Sequence, residues 1–266
     1  ELANFNKAVE DAVRILGNPV TVMQYPVNQG PGFNAIIDLL KMTMYRFPEN
    51  GGKPEKLPIP DSEKEYAEQL HNKLVEKAAE NDDTLMERSF EKGSLDEDEL
   101  RQGIKIGMLH HHVFPLFCLS AKNNMGSGRL MGFIDNVAPS ATEMPAETTT
   151  GGGHVPCNAA GPTGLFVFKT LQEPHIGRLT YFKVISGEVK GGMELINEQG
   201  NTTERISQLF IADGKNRNNV ERLQAGDIGC TLKMKNTLTN HTLAEKSFPG
   251  QISPIAFPAP KVRVAI

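Results

Sequence analysis

The chain has 266 residues, of which 39% are hydrophobic and 23% are charged. This length allows one large domain or two of ordinary size, and the composition excludes a disordered polymer, a collagen and a disulfide-dense miniature fold. The three cysteines are widely spaced without a CxxC pair, which favours a reducing compartment and argues against a structural zinc site. Because the sequence has no 18-residue apolar run and no signal peptide, we predict a cytoplasmic protein with no membrane partner.

The net charge of −4 is the sum of two halves of opposite sign. Residues 1–162 carry 15 Lys and Arg against 23 Asp and Glu, whereas residues 163–266 carry 13 against 9. This asymmetry indicates two domains with different surfaces, and the basic half is the one expected to meet phosphate groups. The first residue, Glu1, is not a methionine, so we expect the true start of the protein to lie elsewhere.

Apolar residues at three- and four-residue spacing predict the helices of the acidic half. They fall in residues 2–16, 66–78, 100–108 and 129–137. Pro60-Asp61-Ser62 offers an N-cap to the second helix. Ser94 and Glu97 have the spacing of a capping box before the third.

Other segments of the acidic half predict strands and loops. Residues 20–27 are β-rich, and residues 33–44 fit either a strand or a buried helix. Residues 48–60 contain four prolines and predict a loop. Residues 113–119 are continuously apolar, which predicts a fully buried parallel strand.

Residues 139–162 contain no Lys or Arg and no periodicity, so we expect a linker there. In the basic half that follows, short β-rich runs alternate with turn signals, a pattern typical of an antiparallel barrel or sandwich. The predicted strands are residues 165–169, 177–186, 193–197, 204–210, 228–232 and 252–257.

No group of residues predicts a catalytic or metal site. Residues 110–112 are three adjacent histidines, and neighbouring side chains at a helix-to-strand junction point apart rather than converge on one ion. The Gly-Pro-Gly of residues 30–32 is not a P-loop, because no Gly-Lys-Ser/Thr follows. The sequence also contains no nucleophile elbow or catalytic triad that could be defended.

The basic half contains only small clusters of cationic side chains. Lys215, Arg217 and Arg222 flank a turn, and Arg178 and Lys183 lie on a predicted strand. A solvated barrel face and a surface that contacts phosphates both fit these residues.

The end of the apolar run carries a recognisable sequence. Residues 115–126 read Pro-Leu-Phe-Cys-Leu-Ser-Ala-Lys-Asn-Asn-Met-Gly. This stretch resembles the Pro-Val-x-Cys-Gly-Ser-Ala-Phe-Lys-Asn-Lys-Gly of the elongation factor G family, and the two align without gaps. In translational GTPases the Gly-Ser-Ala of this stretch is the fifth guanine-recognition motif.

The basic half resembles the same family more closely. Residues 173–184 correspond to its Asp-Pro-Phe-Val-Gly-x-Leu-Thr-Phe-Phe-Arg-Val strand, and residues 225–228 to its Ala-Gly-Asp-Ile turn. Residues 3–16 look like the helix after the family's Asn-Lys-x-Asp motif. Residues 20–112 look like the inserted subdomain that distinguishes elongation factor G from elongation factor Tu.

The resemblance implies an α+β multidomain fold. Residues 1–138 would be the C-terminal part of an α/β GTP-binding domain with the inserted α+β subdomain at about 20–112. Residues 139–162 would be the linker, and residues 163–266 the antiparallel β-barrel known as domain II of translation factors.

The resemblance also implies a function, as a segment of a translational GTPase that acts on the ribosome in translocation or a related step. In the intact protein, the backbone N–H of Ala121 would face the guanine carbonyl oxygen, with Ser120 and Lys122 shaping the loop. Domain II would contact the RNA of the small ribosomal subunit, and Arg178, Lys215 and Arg217 are the candidate contacts.

The sequence lacks the motifs that the chemistry requires. The family's P-loop, switch regions and Asn-Lys-x-Asp motif would all precede Glu1. Phosphoryl transfer needs the P-loop lysine, a magnesium ligand and a positioned water. We therefore expect GTP or GDP and Mg²⁺ to be cofactors of the intact protein only. The chain alone is predicted to hold no cofactor, to have no catalytic residue and to be inactive.

Two departures from the family pattern mark a diverged paralogue. The glycine of Gly-Ser-Ala is Leu119 here. Residues 233–243 replace two glycines and two aspartates of the family's Gly-Leu-Lys-Asp-Thr-x-Thr-Gly-Asp-Thr-Leu. These changes leave open which ribosomal step the parent performs and whether it hydrolyses GTP.

Two alternatives remain at this stage. A ribosomal-protection GTPase shares these domains but is expected to lack the insert, and a stand-alone β-barrel module that binds RNA or protein needs no GTPase at all.

Strand 113–119 would also lack most of its neighbouring strands in this segment. Its open edge predicts either disorder around residues 110–135 or self-association of two copies.

Overall fold

The computed structural model describes residues 3–49, 52–173, 177–214 and 216–259. The chain divides into two compact units, Glu1–Pro139 and Ser140–Ile266. The first unit contains all five helices of the described residues. They are α1 (Phe5–Leu16), α2 (Asp61–Ala79), α3 (Asp83–Lys92), α4 (Glu97–Leu109) and α5 (Ser127–Asn136).

The strands of the first unit form two separate sheets. They are β1 (Val20–Val22), β2 (Gln24–Pro26), β3 (Ala35–Asp38), β4 (Thr43–Arg46), β5 (Glu55–Leu57) and β6 (Phe114–Leu116). Strands β2 to β5 form an antiparallel sheet in chain order. The ambiguous residues 33–44 are therefore strands, because a tight turn folds them into the β3–β4 hairpin. The predicted loop 48–60 contains β5, which its prolines concealed.

The four-stranded sheet and helices α2 to α4 share one core. Ile37, Leu74 and Ile104 are each 1% exposed or less, and belong to a single buried cluster. Helices α2 and α4 approach closely at Gly103, where a Cβ would lie 2.4 Å from the carbonyl oxygen of Ala78. Glycine is therefore a packing requirement at this crossing rather than a helix breaker.

Helix α4 begins two residues later than the predicted capping box. Asp96 is the N-cap, its Oδ1 accepts from the N–H of Glu99 at 2.9 Å, and Glu99 Oε2 accepts from the N–H of Asp96 at 2.9 Å. The predicted pair Ser94–Glu97 was therefore wrong. Ser94–Glu97 and Asp96–Glu99 have the same three-residue spacing, and only the hydrogen bonds distinguish them. The N-cap of α2 is Pro60, which makes no side-chain cap hydrogen bond.

The apolar run 113–119 forms a shorter and more exposed strand than predicted. Only Phe114–Leu116 is extended, and all three residues are half-buried. Strand β6 pairs in parallel with β1, with Val20 opposite Phe114 and Val22 opposite Leu116. The strand is not fully buried because this parallel sheet has two strands among the described residues.

The second unit consists of strands and loops. They are β7 (Glu147–Thr148), β8 (His154–Val155), β9 (Gly164–Glu173), β10 (Gly177–Ser186), β11 (Glu188–Lys190), β12 (Glu194–Asn197), β13 (Thr202–Arg205), β14 (Leu209–Asp213), β15 (Asn216–Val220), β16 (Arg222–Gln224), β17 (Ile228–Leu232) and β18 (Thr242–Ala244). Eight of them form an antiparallel sheet in the order β13-β12-β18-β9-β10-β17-β14-β15.

The predicted mixed α and β architecture with an antiparallel second half is confirmed. Leu165, Phe182 and Leu243 lie at the centre of this half's main apolar cluster and are fully buried. Strands β13 and β15 end the hydrogen-bonded order, so within the described part of the chain the sheet does not close into a complete ring.

Several strand limits in the second unit differ from the prediction. The run 204–210 is divided between β13 and β14 by residues 206–208, which belong to neither strand, and residues 252–257 hold only an isolated bridge from Ile252 to Thr149. Strand β18 was missed because its three residues lie in a Thr- and Asn-rich stretch. Residues 139–162, expected to be a linker, contain the paired strands β7 and β8.

Candidate functional site

The loop that carries the predicted guanine contact is a tight reversal after β6. Ser120 donates its N–H to the carbonyl of Met125 at 2.8 Å, and Met125 donates back to Ser120 at 3.0 Å. Between them, Asn124 has a φ of 50°, a left-handed conformation that asparagine tolerates well. The loop is therefore fixed by its own backbone hydrogen bonds.

Ala121 lies at the outer edge of this reversal. The residue is exposed, and its carbonyl accepts the N–H of Asn124 at 3.3 Å. Among the hydrogen bonds of the described residues, none uses the N–H of Ala121 as a donor. Lys122 is also exposed, whereas Ser120 is half-buried. The loop thus presents the Ala121 N–H and the Lys122 side chain to solvent.

Gly126 holds the other end of the loop. It is the N-cap of α5, with a φ of 85°, and a Cβ there would lie 2.8 Å from the carbonyl oxygen of Cys118. Any other residue would have to push β6 away from α5. Leu119 stands where the family pattern has a glycine, but it is not among the residues with positive φ. A side chain at Leu119 is therefore compatible with this backbone.

A cleft of about 420 Å³ opens beside the loop. Its walls come from the start of α1, from residues 26–33 and from the residues that follow β6. The lining includes Asn4, Phe5, Gly30, Phe33 and residues 117–120. This volume lies in the range of small-molecule sites, and the rings of Phe5, Phe33 and Phe117 give it apolar walls suited to a planar ring. Ala121 and Lys122 are not among the lining residues, although Ser120 is.

Side-chain hydrogen bonds fix the entrance of the cleft. The Asn4 side chain caps α1 by accepting the N–H of Lys7 at 3.0 Å, and Gln29 Oε1 accepts the N–H of Phe5 at 2.6 Å. Sequence analysis missed these residues. The Gly-Pro-Gly of residues 30–32 was the available signal, since it forms the turn that brings Gly30 to the cleft.

Cys118 lies under the loop without being a nucleophile. Its Sγ contacts the carbonyl oxygen of Gln24 at 3.4 Å. Burial raises the pKa of the Cys118 thiol to about 12, because the thiolate would lose its hydration. At neutral pH the group is a neutral thiol that packs.

The described residues supply no metal centre. Within residues 3–49, 52–173, 177–214 and 216–259, no three His, Cys, Asp or Glu side chains converge on one point. The rings of His110 and His112 are 6.0 Å apart at an angle of 37°. No helix in the same ranges is both long and apolar enough to cross a membrane.

The predicted ribosome contacts in the second unit have partners of their own. Arg178 Nη1 donates to the carbonyl of Thr237 at 3.5 Å, and Arg217 forms an ion pair with Glu173. Lys215 lies outside the described residues. Arg178 is opposite Gln172 in the β9–β10 register, and neighbouring residues of a strand point to opposite faces. Arg178 and the Arg217–Glu173 pair therefore do not share one face of the hairpin.

The diverged loop 233–243 has a left-handed backbone at the two positions where the family pattern has glycine. The two residues that replace glycines, Lys233 and Asn240, have φ angles of 63° and 73°. Glu204, 3% exposed, accepts the N–H groups of Lys235 at 3.2 Å and Asn236 at 2.7 Å. These hydrogen bonds hold the loop between its two left-handed positions.

Comparisons with known proteins find similar sequences for the whole chain and for its second half. Residues 162–246 match the family model described as elongation factor G domain 2. Over 99% of its length, the chain is 33% identical to elongation factor G of Mycoplasma pneumoniae and 30% identical to that of Mycoplasma genitalium. It spans 39% of the length of each of these relatives.

A solved structure shares the fold. A crystal structure of a protein from Thermus thermophilus superposes with a TM-score of 0.80 at 22% identity, and the match covers 98% of this chain and 37% of that one. The matches in sequence show that the chain is similar to a part of elongation factor G, and that residues 162–246 match the domain 2 model of that family.

Proposed function

We propose that the chain is part of a translational GTPase of the elongation factor G type that works on the ribosome in the cytoplasm. In this proposal, residues 1–138 are the end of the GTP-binding domain, with the inserted subdomain at about 20–112. Residues 163–266 are domain II, and residues 139–162 connect the two.

One observation supports the proposal, namely a two-stranded parallel pairing next to a helix whose apolar residues are exposed. Strands β1 and β6 pair in parallel, yet parallel sheets are stable when helices and further strands cover them. Helix α1 has no buried residue, and Ile15 and Leu16 are 71% and 54% exposed. Both features are those of a sheet and helix that pack against further strands of a larger domain.

We assign the guanine to this cleft, which lies beside the reversal that carries Ala121. In open α/β sheets, ligands bind beyond the carboxyl ends of the strands, where Phe117 and Ser120 follow β6. Phe5 and Phe33 would contact the faces or edges of the ring. The Ala121 N–H would donate to the guanine carbonyl oxygen, while the Ser120–Met125 bridge holds the loop in place and Lys122 flanks it.

The described residues fit the guanine but not the rest of the nucleotide. They contain no P-loop, and no acidic cluster suited to Mg²⁺ is found among them. We therefore assign GTP or GDP and Mg²⁺ to the whole protein and place no step of hydrolysis on this chain. By itself the chain should show no stoichiometric GDP binding in calorimetry and no GTP hydrolysis.

In the second unit, the proposed partner is small-subunit RNA. Arg178 is the better candidate because its hydrogen bond is long and to a neutral carbonyl. Arg217 would have to exchange Glu173 for a phosphate. Lys215 remains a candidate on its sequence position.

A chimera tests the proposal directly. This chain replaces the corresponding segment of elongation factor G from Mycoplasma pneumoniae, and GTP hydrolysis is measured with and without ribosomes. We expect ribosomes to stimulate hydrolysis by the chimera. A folded chimera that binds GTP but ignores ribosomes would contradict the proposal and favour the stand-alone binding module.

A further inference from the structure

A small polar cavity lies in the first unit between the four-stranded sheet, α4 and α5. Its volume is about 80 Å³. A single water needs about 10–15 Å³ of such space, so the cavity has room for a ligand of several heavy atoms. Its polar lining comes from Gln24, Asp38, Lys41, Arg101, Arg129 and Asn136. None of these residues lines the guanine cleft.

Three buried polar atoms of this lining have no partner within the described residues. They are Gln24 Oε1, Arg101 Nε and Arg129 Nε. Gln24 is 2% exposed, and its Nε2 donates to Asp38 Oδ2 at 3.4 Å. The carboxylate accepts only, so it fixes the amide orientation and leaves Oε1 without a donor. Buried polar groups are almost always hydrogen-bonded. Three buried atoms without a partner around one cavity therefore indicate that the cavity holds a bound molecule.

The charges of the lining favour an anion. Lys41, Arg101 and Arg129 provide three positive charges against the single carboxylate of Asp38. Arg129 Nη2 pairs with Asp38 Oδ2 at 2.9 Å, which neutralises that carboxylate but leaves Arg129 Nε available. Lys41 and Arg101 both pair with Glu97, and Arg101 also pairs with Asp98 at 3.3 Å; these two carboxylates do not line the cavity, and none of these pairs uses Arg101 Nε.

The hydrogen-bond pattern narrows the class of anion. The occupant must accept from two guanidinium Nε–H groups and donate to Gln24 Oε1. We propose that this cavity binds a small oxyanion that keeps a proton, with hydrogen phosphate as the representative. Its hydroxyl donates to Gln24, and its remaining oxygens accept from Arg101 and Arg129. Sulfate has a similar size but carries no proton at neutral pH, so it would leave Gln24 unsatisfied.

The ligand has a route of entry. The side chains of Lys41 and Arg101 are 30% and 28% exposed, and Asn136 is exposed. These residues form the mouth of the cavity, whereas Met23 and Phe133 close its far side. An anion therefore meets cationic side chains first and the buried amide last.

Calorimetry on the 266-residue chain tests the proposal with inorganic phosphate and with sulfate at pH 7. We expect one saturable phosphate site and an affinity for phosphate about tenfold above that for sulfate, from the hydrogen bond to Gln24. Gln24→Leu should bring the two affinities within about twofold. Arg101→Lys keeps the charge but removes Nε–H, and should weaken phosphate binding by about fivefold or more.

Arg88→Lys is the matched control, because Arg88 pairs with Glu99 away from the cavity and should leave phosphate binding unchanged. If Gln24→Leu fails to fold, the comparison of Arg101→Lys with Arg88→Lys still decides the matter. Absence of saturable phosphate binding would mean that the cavity holds water only. Equal affinities for phosphate and sulfate, or an unaffected Arg101→Lys variant, would also overturn the proposal.

Discussion

Lys233 has a left-handed backbone that lysine disfavours, and its replacement by glycine should stabilise the second unit. It lies in the loop after β17 with a φ of 63°, and its side chain is exposed. The loop around it is held by Glu204, which accepts the N–H groups of Lys235 and Asn236. The loop cannot relax without losing these bonds to a buried carboxylate.

The expected gain follows from two opposing terms. A non-glycine residue in the left-handed region costs about 1–2 kcal/mol, because its Cβ crowds the neighbouring carbonyl oxygen. Glycine costs about 0.5–1 kcal/mol in additional chain entropy on folding. Lys233→Gly should therefore raise the free energy of unfolding of this unit by about 0.5–1 kcal/mol.

Native-state hydrogen exchange at the amides of β17 measures this change locally, which avoids assuming that both units unfold together. Lys235→Gly is the matched control, since Lys235 is exposed in the same loop but does not have a positive φ. It should lower the opening free energy by about 0.5–1 kcal/mol. Equal effects of the two substitutions, or a loss of stability in Lys233→Gly, would show that the backbone of Lys233 is not strained.

Three further predictions concern single side chains. Asn240→Gly keeps the φ of 73° but removes the pair of 3.0 Å hydrogen bonds with Ile255, and should cost about 1 kcal/mol in urea unfolding; no change would show that this pair is not needed. The Asp96 N–H and Arg88 hold the pKa of Glu99 below its ordinary value. The stability that ionised Glu99 contributes is therefore present above about pH 4.3 and is lost as the pH falls through the lowered pKa. Glu99→Gln should be less stable at pH 7 and lose less stability in acid, and a pH profile parallel to that of the parent would contradict this. With its pKa raised to about 12, Cys118 should resist iodoacetamide at pH 8 while the half-buried Cys157 reacts, as peptide mass spectrometry would show; equal labelling in the folded chain would be the contrary result.

Periodicity predicted the elements that have an amphipathic face or alternating strands. The limits of β10 and β17 agree with the prediction, because each strand is bounded by a clear turn. The failures have local causes. Strand β5 was concealed by prolines, and two pairs of residues in the 94–99 region share the capping-box spacing, so only the hydrogen bonds of Asp96 and Glu99 identify the right one.

The candidate site was predictable only as a loop. The Ser120-Ala121 match located the reversal after β6, but the cleft beside it depends on residues far away in the sequence, such as Phe33. No local pattern predicts such a long-range contact. Similarly, the three orphaned atoms of the polar cavity come from a strand and two helices, and each residue alone reads as an ordinary surface or strand position.

The backbone donor of Ala121 is the most direct test of the account, because it distinguishes guanine recognition from a loop that merely ends a strand. In the chimera with Mycoplasma pneumoniae elongation factor G, Ala121→Pro removes the N–H and Ala121→Ser keeps it. We expect Ala121→Pro to weaken GDP binding by about tenfold or more and Ala121→Ser to leave it within about twofold of the parent. Equal GDP affinities of the two folded variants would contradict the account.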